Sequence, residues 1–481
     1  MSADIFFWTT LGTIIGLIVG AIPGLTGAMA IALAVPLTYG MDKAPALALL
    51  VAMYVGSVSG GLITATLLKI PGTPASIMTT LDAYPMAAKG RPRRALALGV
   101  ISSLFGGIVA WFVLVALSGV VSKLSLAPLE LFSLIVVSLV LVAVISKGAM
   151  LVGLFSAFLG MLFALPRINP ATSEPRLTFG VPELSDGFQL LPVLIGLFAI
   201  SESVRLVVTK EKREIAGGGG GVLGGTLPKM KEWIQQLPNL IRSSMIGSFV
   251  GILPAIGANI GSLLSYGAAK SSAKDRDEFG KGADSAIVAS ESANNATVGG
   301  ALVPLIAIGI PGSVIDAILL GAFLIHGIQP GPWLFENNPE IVSTISWSYL
   351  FANLVMFVVM WFSINLLMKL VKTPRWVLVP AVLLFSVIGS FAIANRPFDV
   401  WVMLSFGGLG IAMNRFGIPL APFVLGFVLF PIAEWQLVQG LGMNEGNWLA
   451  LLTNPISAGL LILALVLLVA PFIKRRSTAS V

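Results

Sequence analysis

The chain has 481 residues, of which 56% are hydrophobic and only 11% charged, and its mean hydropathy is +0.95. Soluble domains carry about 25% charged residues, so this composition argues against a soluble globular protein. The net charge of +7 lies mainly in short loops, where it indicates membrane topology, so no nucleic-acid partner is predicted. The chain contains no cysteine, which excludes disulfides, thiolate metal sites and thiol nucleophiles.

Several runs of the chain are long and apolar enough to form transmembrane helices, which need about 20 residues. The clearest are residues 96–121, 127–146, 148–166, 189–208, 341–368 and 449–473. The N-terminus lacks a basic region and carries Asp4, so no cleaved signal peptide is expected. These features predict an all-α polytopic membrane protein.

The distribution of Lys and Arg sets the predicted topology, because basic loops face the cytoplasm. The basic segments are 88–94, 209–214, 269–282, 369–375 and the tail 474–476, whereas 167–187, 329–340 and 434–448 are assigned to the outside. The two sets alternate only if residues 5–40 and 239–268 each begin and end on one side. Glycine and proline interrupt both segments, so each is predicted to form a re-entrant hairpin. This topology places the C-terminus in the cytoplasm.

A charged and glycine-rich stretch, residues 209–235, separates two similar halves. Residues 16–28 (GLIVGAIPGLTGA) align with 247–259 (GSFVGILPAIGAN), and residues 60–73 (GGLITATLLKIPGT) align with 300–313 (GALVPLIAIGIPGS). The five glycines at 217–221 are not followed by Gly-Lys-Ser/Thr, so they predict a flexible cytoplasmic linker rather than a phosphate loop. The predicted domains are residues 1–208, the linker 209–235 and residues 236–481.

The charges of the loops orient the two halves oppositely, which predicts two inverted-topology repeats. In each half, Ile-Pro-Gly followed by Thr73 or Ser313 interrupts a long apolar run. Proline blocks helix continuation, and glycine lets a ligand approach the backbone. The alternative is that these breaks are packing kinks, because both residues are common in membrane helices. Two matching breaks favour the broken helices of secondary transporters, whose sites lie near the bilayer midplane.

The stretch 289–300 (ASESANNATVGG) places a carboxylate and two amides in a membrane segment. Such groups are costly in lipid and are functional by default, although Glu291 could instead lie at a helix end and reach water. In the first half, Ser57 and Ser59 could equally serve close helix packing. The candidate lining consists of Tyr54, Ser57, Ser59, Gly72, Thr73, Ser76, Glu291, Ser292, Asn294, Asn295, Pro311, Gly312, Ser313 and Asp316.

Other polar residues give weaker signals. His326 is the only histidine and has no acidic neighbour, so no metal-binding or catalytic role is predicted for it. Asp82 and Tyr84 are placed near the membrane surface, where they would cap a short helix. The chain has no His-Glu-x-x-His run or Ser-His pair, so neither an enzyme nor a cofactor is predicted.

Taken together, the motifs resemble the large membrane subunit of the tripartite tricarboxylate transporters, the TctA family, over essentially the whole chain. The matching parts are GAIPGLTGAMAIALAVPLTYGM, YVGSVSGGLITATLLKIPGTPASIMTTLDAYPMAAKG, GILPAIGANIGSLLSYGAAK, ASESANNATVGGALVPLIAIGIPGS and GIQPGPWLF. The resemblance implies about 12 membrane segments in the bacterial inner membrane. It also implies a small four-helix membrane subunit and a periplasmic solute-binding protein as partners, with carboxylate uptake driven by an ion gradient, usually Na⁺.

The resemblance extends the candidate site to both hairpins. It adds Pro23, Gly24 and Thr26 in the first hairpin, and Pro254 and Asn259 in the second. The chain departs from the family pattern where Ala83 and Ala255 replace glycine, which affects the loop geometry expected there.

The predicted function is that of a secondary active transporter subunit. It would import a small tricarboxylate-type anion with Na⁺, after receiving it from a periplasmic binding protein. The alternative is a stand-alone ion-coupled carrier of another small solute, which would transport without a binding protein. A channel would give currents uncoupled from Na⁺, and the paired hairpins do not favour one.

Overall fold

The computed structural model describes residues 2–71, 73–124, 126–145, 150–208, 226–253, 257–370, 374–392 and 394–478. The helices are α1 Ala3–Ala21, α2 Gly27–Ala34, α3 Lys43–Leu68, α4 Ile77–Ala88, α5 Pro92–Ser122, α6 Pro128–Ile145, α7 Met150–Ala164, α8 Leu190–Leu194, α9 Ser201–Val208, α10 Met230–Ile252, α11 Gly257–Ser272, α12 Asp284–Ile308, α13 Val314–Ile325, α14 Pro332–Asn337, α15 Pro339–Leu370, α16 Arg375–Ala392, α17 Pro397–Arg415, α18 Leu420–Met443, α19 Ala450–Thr453 and α20 Pro455–Thr478. Short 3₁₀ turns cover Val35–Thr38, Pro74–Ser76, Pro182–Leu184 and Arg276–Glu278, and a π-helical stretch covers Ile195–Ile200.

The fold is all-α, as predicted. Within the described residues the only strands are the two-residue β1, Arg167–Ile168, and β2, Pro175–Arg176, which pair antiparallel. In the part of the chain that the structure describes, seven helical segments are long and apolar enough to cross a membrane, namely α1, α3, α5, α6, Leu190–Val208, Pro339–Ser363 and α18. Shorter apolar helices lie at Gly27–Thr38, Met150–Ala164, Val314–Ile325, Trp376–Ala392 and Pro455–Ala470. The chain is therefore a polytopic helical membrane protein.

The helices pack into two compact units. The first comprises Met1–Ser122 with Phe198–Asn395, and the second comprises Lys123–Leu197 with Arg396–Val481. Each unit combines residues from before and after the 209–235 stretch, so the units do not coincide with the two sequence repeats. The repeat boundaries at 208 and 236 stay a prediction, and residues 209–225 of the predicted linker lie outside the described part of the chain.

Both predicted hairpins of the first unit are helix–break–helix segments. In the first, α1 and α2 are joined by residues 22–26, and in the second, α10 and α11 flank residues 254–256, which are not described. In each hairpin a glycine allows the first helix to pack against the long helix of its own half. A Cβ at Gly16 would overlap the carbonyl oxygen of Met53, and one at Gly247 would overlap that of Ala293. The aligned glycines thus make equivalent close contacts.

The packing of α5 against α15 supports the inverted relation of the halves. These helices follow the break in the first and second half, respectively, and they run antiparallel. Gly107 of α5 packs against the Asn353 side chain, and the Trp111 ring lies 5.2 Å from the Trp347 ring. This pair of helices therefore points in opposite directions, and the inverted orientation of the two halves as a whole stays a prediction.

The core of the first unit is built around α3 and α12. Every residue of α3 from Pro45 to Leu68 is buried, and α12 is buried from Ala286 to Ala307. The flanking helices expose large apolar side chains such as Phe112 and Phe362, as expected for surfaces in contact with lipid. Helix α12, which carries Glu291 and two asparagines, thus lies inside and is shielded from lipid.

Glycine in α5 sets how closely this helix approaches α12. A Cβ at Gly106 would overlap the backbone carbonyl oxygen of Ser292, which cannot rotate away. We expect Gly106→Ala to lower the free energy of unfolding by about 1–3 kcal/mol, because the two backbones must separate. The check is the thermal unfolding midpoint of the purified protein in detergent. Gly119→Ala is the matched control, since no heavy atom lies within 4 Å of a Cβ at that position of the same helix.

In the second unit, too, glycines allow two helices to pack closely. A Cβ at Gly160 would overlap the carbonyl oxygen of Phe423, and one at Gly426 would overlap that of Ala157.

Both arginines of the 167–187 loop bind one carboxylate. Arg167 Nη2 lies 2.6 Å from Glu434 Oε2, and Arg176 Nη1 lies 2.5 Å from Glu434 Oε1. The loop's arginines are therefore partnered by a helix carboxylate rather than by the loop's own acidic residues.

Loops predicted on the same side of the membrane contact one another in the first unit. Lys89 Nζ donates to the carbonyl oxygen of Lys281 at 2.7 Å, which joins the basic loops 88–94 and 269–282. These loops line a basin of about 940 Å³ in which Arg94 pairs with both Glu232 and Asp284. The Arg94 guanidinium holds the pKa of the Glu232 carboxyl below its usual range. The contacts agree with the predicted topology, although they do not identify the side.

Candidate functional site

The first break follows α3 directly. The helix ends at Leu68, and Lys69 adopts the left-handed conformation with φ 57°, which turns the chain out of the helix before Pro71. After the break, Thr73 Oγ1 and Ser76 Oγ lie 3.0 Å apart, and both residues are buried. A Cβ at Gly61 would lie 2.7 Å from Ser76 Oγ, so the hydroxyl pair packs onto a glycine. Gly72 lies outside the described residues.

The second break repeats this design. Here α12 ends at Ile308, and Gly309, which aligns with Lys69, is also left-handed with φ 72°. Pro311 and Gly312 are buried. Ser313 begins α13 as its N-cap, with Oγ accepting from the backbone N–H of Asp316 at 3.3 Å. Both sequence breaks are thus true helix interruptions rather than kinks within one continuous helix.

Glu291 lies inside the protein, so the alternative in which it reaches water is wrong. Its side chain is fully buried. Thr79 Oγ1 donates to Oε1 at 2.5 Å, and Ser103 Oγ donates to Oε2 at 3.2 Å. Each carboxylate oxygen therefore has a hydroxyl donor, one from α4 and one from α5.

The two amides that follow Glu291 differ in their environment. Ser59 Oγ of α3 donates to Asn295 Oδ1 at 2.6 Å, and Asn295 Nδ2 donates to the carbonyl oxygen of Glu291 at 3.2 Å. Tyr349 of α15 donates to the Asn295 carbonyl oxygen, also at 3.2 Å. Asn294 is fully buried and has the Glu291 carboxylate as a polar neighbour, yet neither its Oδ1 nor its Nδ2 makes a well-formed hydrogen bond among the described residues. An unsatisfied buried amide costs about 1–3 kcal/mol, so Asn294 requires an explanation.

The register of α4 along α12 shows where Asn294 lies. The two helices run antiparallel, because Asp82 bonds the N–H of Ala283 at 2.8 Å and Thr79, one turn earlier in α4, bonds Ser290 at 3.0 Å. Continuing by one helical turn pairs Asn294 with the segment 73–76 that precedes α4. The unpartnered amide therefore lies at the level of the first break.

The second break contacts a helix of the first half, just as the first break lies beside a helix of the second half. Tyr54, which aligns with Asn294, lies on α3, and its hydroxyl is 3.3 Å from Ser313 Oγ. Each break thus contacts the long helix of the opposite half. This pairing brings together most of the polar residues that the sequence singled out, in two related clusters within one compact unit.

Some residues predicted to line the site serve helix packing or bond within their own helix instead. Ser57 Oγ donates to the Tyr54 carbonyl oxygen, and a Cβ at Gly27 would overlap this hydroxyl, so Ser57 closes the contact between α3 and α2. Ser292 Oγ donates to the Val288 carbonyl oxygen within α12. Of the two readings of Ser57 and Ser59, packing describes Ser57, whereas Ser59 holds a site amide.

The hairpin residues occupy the turn between α1 and α2. Pro23 is buried, Gly24 has φ 91°, and Thr26 caps α2 by accepting from the Met29 N–H at 3.2 Å. Pro254 falls outside the described residues, and nothing is described of the Asn259 side chain, although its backbone lies in α11. The proposed ligand roles of these hairpin residues stay predictions.

Sequence reasoning missed the hydroxyls that hold the site. Thr79, Ser103 and Tyr349 bond to Glu291 or Asn295, yet no motif in the sequence distinguished them from the other Ser, Thr and Tyr residues. The weak signal was the pair Ser102-Ser103 inside a membrane helix. The Ala83 departure is explained, since this residue lies within α4 and packs against Met86 with a helical backbone that does not need glycine.

The remaining polar residues tie the halves together. Asp82 accepts backbone N–H groups of the loop that precedes α12 and the Tyr266 hydroxyl, so it fixes this loop rather than capping its own short helix. His326 Nε2 lies 3.0 Å from Thr38 Oγ1, and burial together with the charge of Lys43 lowers the pKa of the imidazole. Among the described residues, no three His, Asp or Glu side chains are grouped to hold a metal ion.

Comparison with known proteins matches nearly the whole chain. The model of the family described as "Tripartite tricarboxylate transporter TctA family" matches residues 6–425. An uncharacterized 52.8 kDa protein of the TAR-I ttuC' 3' region of Agrobacterium vitis is 34% identical over 433 residues, which cover 89% of this chain and 86% of that protein. A second protein of that organism, from the TAR-II ttuC' 3' region, is 38% identical over 220 residues, 46% of this chain and 91% of its own length. No solved structure matches the chain.

Proposed function

Because the chain belongs to the tripartite tricarboxylate transporter TctA family, and is thus a membrane subunit of such a transporter, we propose that it imports a small carboxylate together with Na⁺. The observation that carries this proposal is the unpartnered Asn294 amide at the level of the first break. In an inverted-repeat transporter, the substrate is expected where broken helices meet the opposite repeat.

Recognition of the anion would use neutral donors. The breaks supply the hydroxyls of Thr73 and Ser76, the Asn294 amide and the positive end of the α4 dipole, all of which suit a carboxylate. Lys69, the cation nearest to a break in sequence, is exposed, and its ammonium group lies 5.7 Å from the Tyr84 ring. We therefore assign Lys69 no substrate contact, and the substrate charge would be offset by helix ends and a co-bound cation.

Alternating access would depend on contacts between the hairpin of one half and the helix after the break of the other half. The returning helix of each hairpin packs on the helix that follows the other half's break, with α2 on α13 and α11 on α4. Thr38 with His326 joins the first pair, and Tyr266 with Asp82 joins the second. We assign these two contacts to opposite faces, so that one would open while the other stays closed.

The partners and the location belong to the same proposal. A tripartite system implies partner subunits in general. We assign these roles to a small four-helix membrane subunit and to a periplasmic solute-binding protein that delivers the substrate. The basic loops support our assignment of the chain to the bacterial inner membrane with its C-terminus in the cytoplasm.

The test is uptake by proteoliposomes that contain this chain, the small membrane subunit and the binding protein, assayed with a panel of labelled carboxylates. We expect uptake of at least one carboxylate only when an inward Na⁺ gradient is imposed, and we expect it to fall to background when the gradient is collapsed. Gradient-driven uptake by vesicles containing this chain alone would instead support a stand-alone carrier. Uptake that ignores Na⁺ would refute the coupling.

A further inference from the structure

The two breaks are equivalent in backbone but differ in charge. Thr73 and Ser76 of the first break align with Ser313 and Asp316 of the second, so a carboxylate replaces a hydroxyl at one position. At the first break, the hydroxyls bond each other at 3.0 Å and carry no charge. The second break adds an acidic group to the same framework, and this asymmetry indicates that the two breaks hold different ligands.

Asp316 is buried without a partner for its charge. Its side chain is fully buried, and neither Oδ1 nor Oδ2 makes a well-formed hydrogen bond among the described residues; the carboxylate faces Ser313 and the backbone N–H of Gly312. No Lys, Arg or His within the described part of the chain forms an ion pair with it. Burying an ionised carboxylate costs several kcal/mol unless a positive charge compensates it. The geometry therefore leaves a place for a cation.

Two hydroxyl groups lie near this carboxylate. Ser313 Oγ and the Tyr54 hydroxyl lie 3.3 Å apart beside the first turn of α13, and the Asp316 N–H donates to the same Ser313 oxygen. The break also receives the carbonyl end of α12, which carries partial negative charge, after its last residue, Ile308. Carboxylate, hydroxyl and helix-end carbonyl oxygens are the groups that coordinate Na⁺ in transporters with broken helices.

We propose that Asp316 is the carboxylate ligand of the coupling Na⁺ at the second break, with Ser313 and Tyr54 as hydroxyl ligands, while the first break binds the substrate carboxylate. This assignment rests on the proposed Na⁺-coupled uptake and names the residues that perform it. The two equivalent breaks then bind different ligands: the neutral first break binds the anion, and the acidic second break binds the cation.

Glu291 is the rival carboxylate, and its surroundings distinguish it from Asp316. Both of its oxygens already accept hydrogen bonds, from Thr79 at 2.5 Å and from Ser103 at 3.2 Å. A carboxylate with two hydroxyl donors is satisfied within the protein, whereas Asp316 is not. Glu291 therefore holds α4 and α5 against α12, and Asp316 is left to bind the ion.

The test is Na⁺-dependent thermal stabilisation of the purified chain, titrated against choline chloride at constant ionic strength and without substrate. The wild-type midpoint should rise saturably with Na⁺, since a ligand of the native state stabilises it. We expect Asp316→Asn to weaken the apparent Na⁺ affinity at least tenfold. Asp399→Asn, which removes a buried carboxylate paired with Arg396 in the other compact unit, should leave the Na⁺ response unchanged.

Tyr54→Phe keeps the proposal testable if Asp316→Asn fails to fold, because it removes one hydroxyl and little volume. We expect it to weaken the apparent Na⁺ affinity severalfold. An unchanged Na⁺ response in either variant overturns the assignment, as does a response lost in Glu291→Gln and kept in Asp316→Asn. No stabilisation of the wild type by Na⁺ also overturns it. In proteoliposomes, Na⁺-driven uptake that survives Asp316→Asn refutes this site alone, whereas Na⁺-independent wild-type uptake refutes the proposed function.

Discussion

Asp82→Asn should destabilise the protein by about 3 kcal/mol or more, which is the largest stability effect that we expect from an isosteric change. Asp82 is fully buried, and it accepts the N–H groups of Gly280, Gly282 and Ala283 at 2.8–3.0 Å. The Tyr266 hydroxyl donates to the same carboxylate at 2.9 Å. An asparagine would turn an NH₂ group toward these donors and leave some of them unsatisfied. The measurement is the thermal unfolding midpoint of the purified protein in detergent.

The control is Asp277→Asn, because Asp277 lies in the same loop but is exposed. Its midpoint should match that of the wild type, which separates the loss of the Asp82 hydrogen bonds from a general change of charge. Equal midpoints for Asp82→Asn and the wild type would contradict the role of this carboxylate. A selective loss in Asp82→Asn would show that the start of α12 depends on a residue from the other half.

The helix breaks were predictable because they are local. Proline and glycine act on their own backbone, so Ile-Pro-Gly fixes an interruption whatever surrounds it. The left-handed residue before each break is less evident, since glycine at 309 signals it but lysine at 69 does not. The structure shows that these aligned residues share a left-handed conformation. The residue type predicts this conformation in the second half of the chain but not in the first.

The partners of the polar residues were not predictable. Glu291 is held by Thr79 and Ser103, which lie more than 180 residues away along the chain. The spacing within α12 shows that Glu291 and Asn295 share a face, but it cannot show which helix covers that face. The distinction between the satisfied Asn295 and the unsatisfied Asn294 therefore needed coordinates, although both were equal candidates in the sequence.

The compact units also differ from what a repeat alone suggests. The sequence repeat reflects similarity between residues 1–208 and 236–481, whereas compactness reflects which helices pack together. Helices α6 and α7 pack with α18, with close glycine contacts at Gly160 and Gly426, and these helices come from both halves. Sequence similarity between the halves does not show that helices from both halves pack into one compact unit.

Asn294→Ala should reduce carboxylate uptake by about 10- to 100-fold, the loss expected when a buried hydrogen bond to a charged ligand worth about 1.5–3 kcal/mol is removed. The amide makes no well-formed hydrogen bond among the described residues, so its truncation breaks none, and the chain should insert and purify as the wild type does. Asn295→Ala should also abolish uptake, but through the loss of its bond to Ser59. The measurement is the initial rate of uptake in the three-component proteoliposomes, normalised to inserted protein.

Two further variants separate chemistry from shape. Asn294→Asp keeps the size of the side chain but replaces its donor with a negative charge, so uptake of a carboxylate should fall at least as far as in Asn294→Ala. Asn337→Ala removes an asparagine whose Nδ2 donates to the Trp333 carbonyl oxygen at an exposed site, and it should transport normally. Wild-type rates in Asn294→Asp would be incompatible with an anion beside this amide. If Asn294→Ala and Asn294→Asp both bind Na⁺ normally and yet fail in uptake, the amide acts on the substrate rather than on the coupling ion.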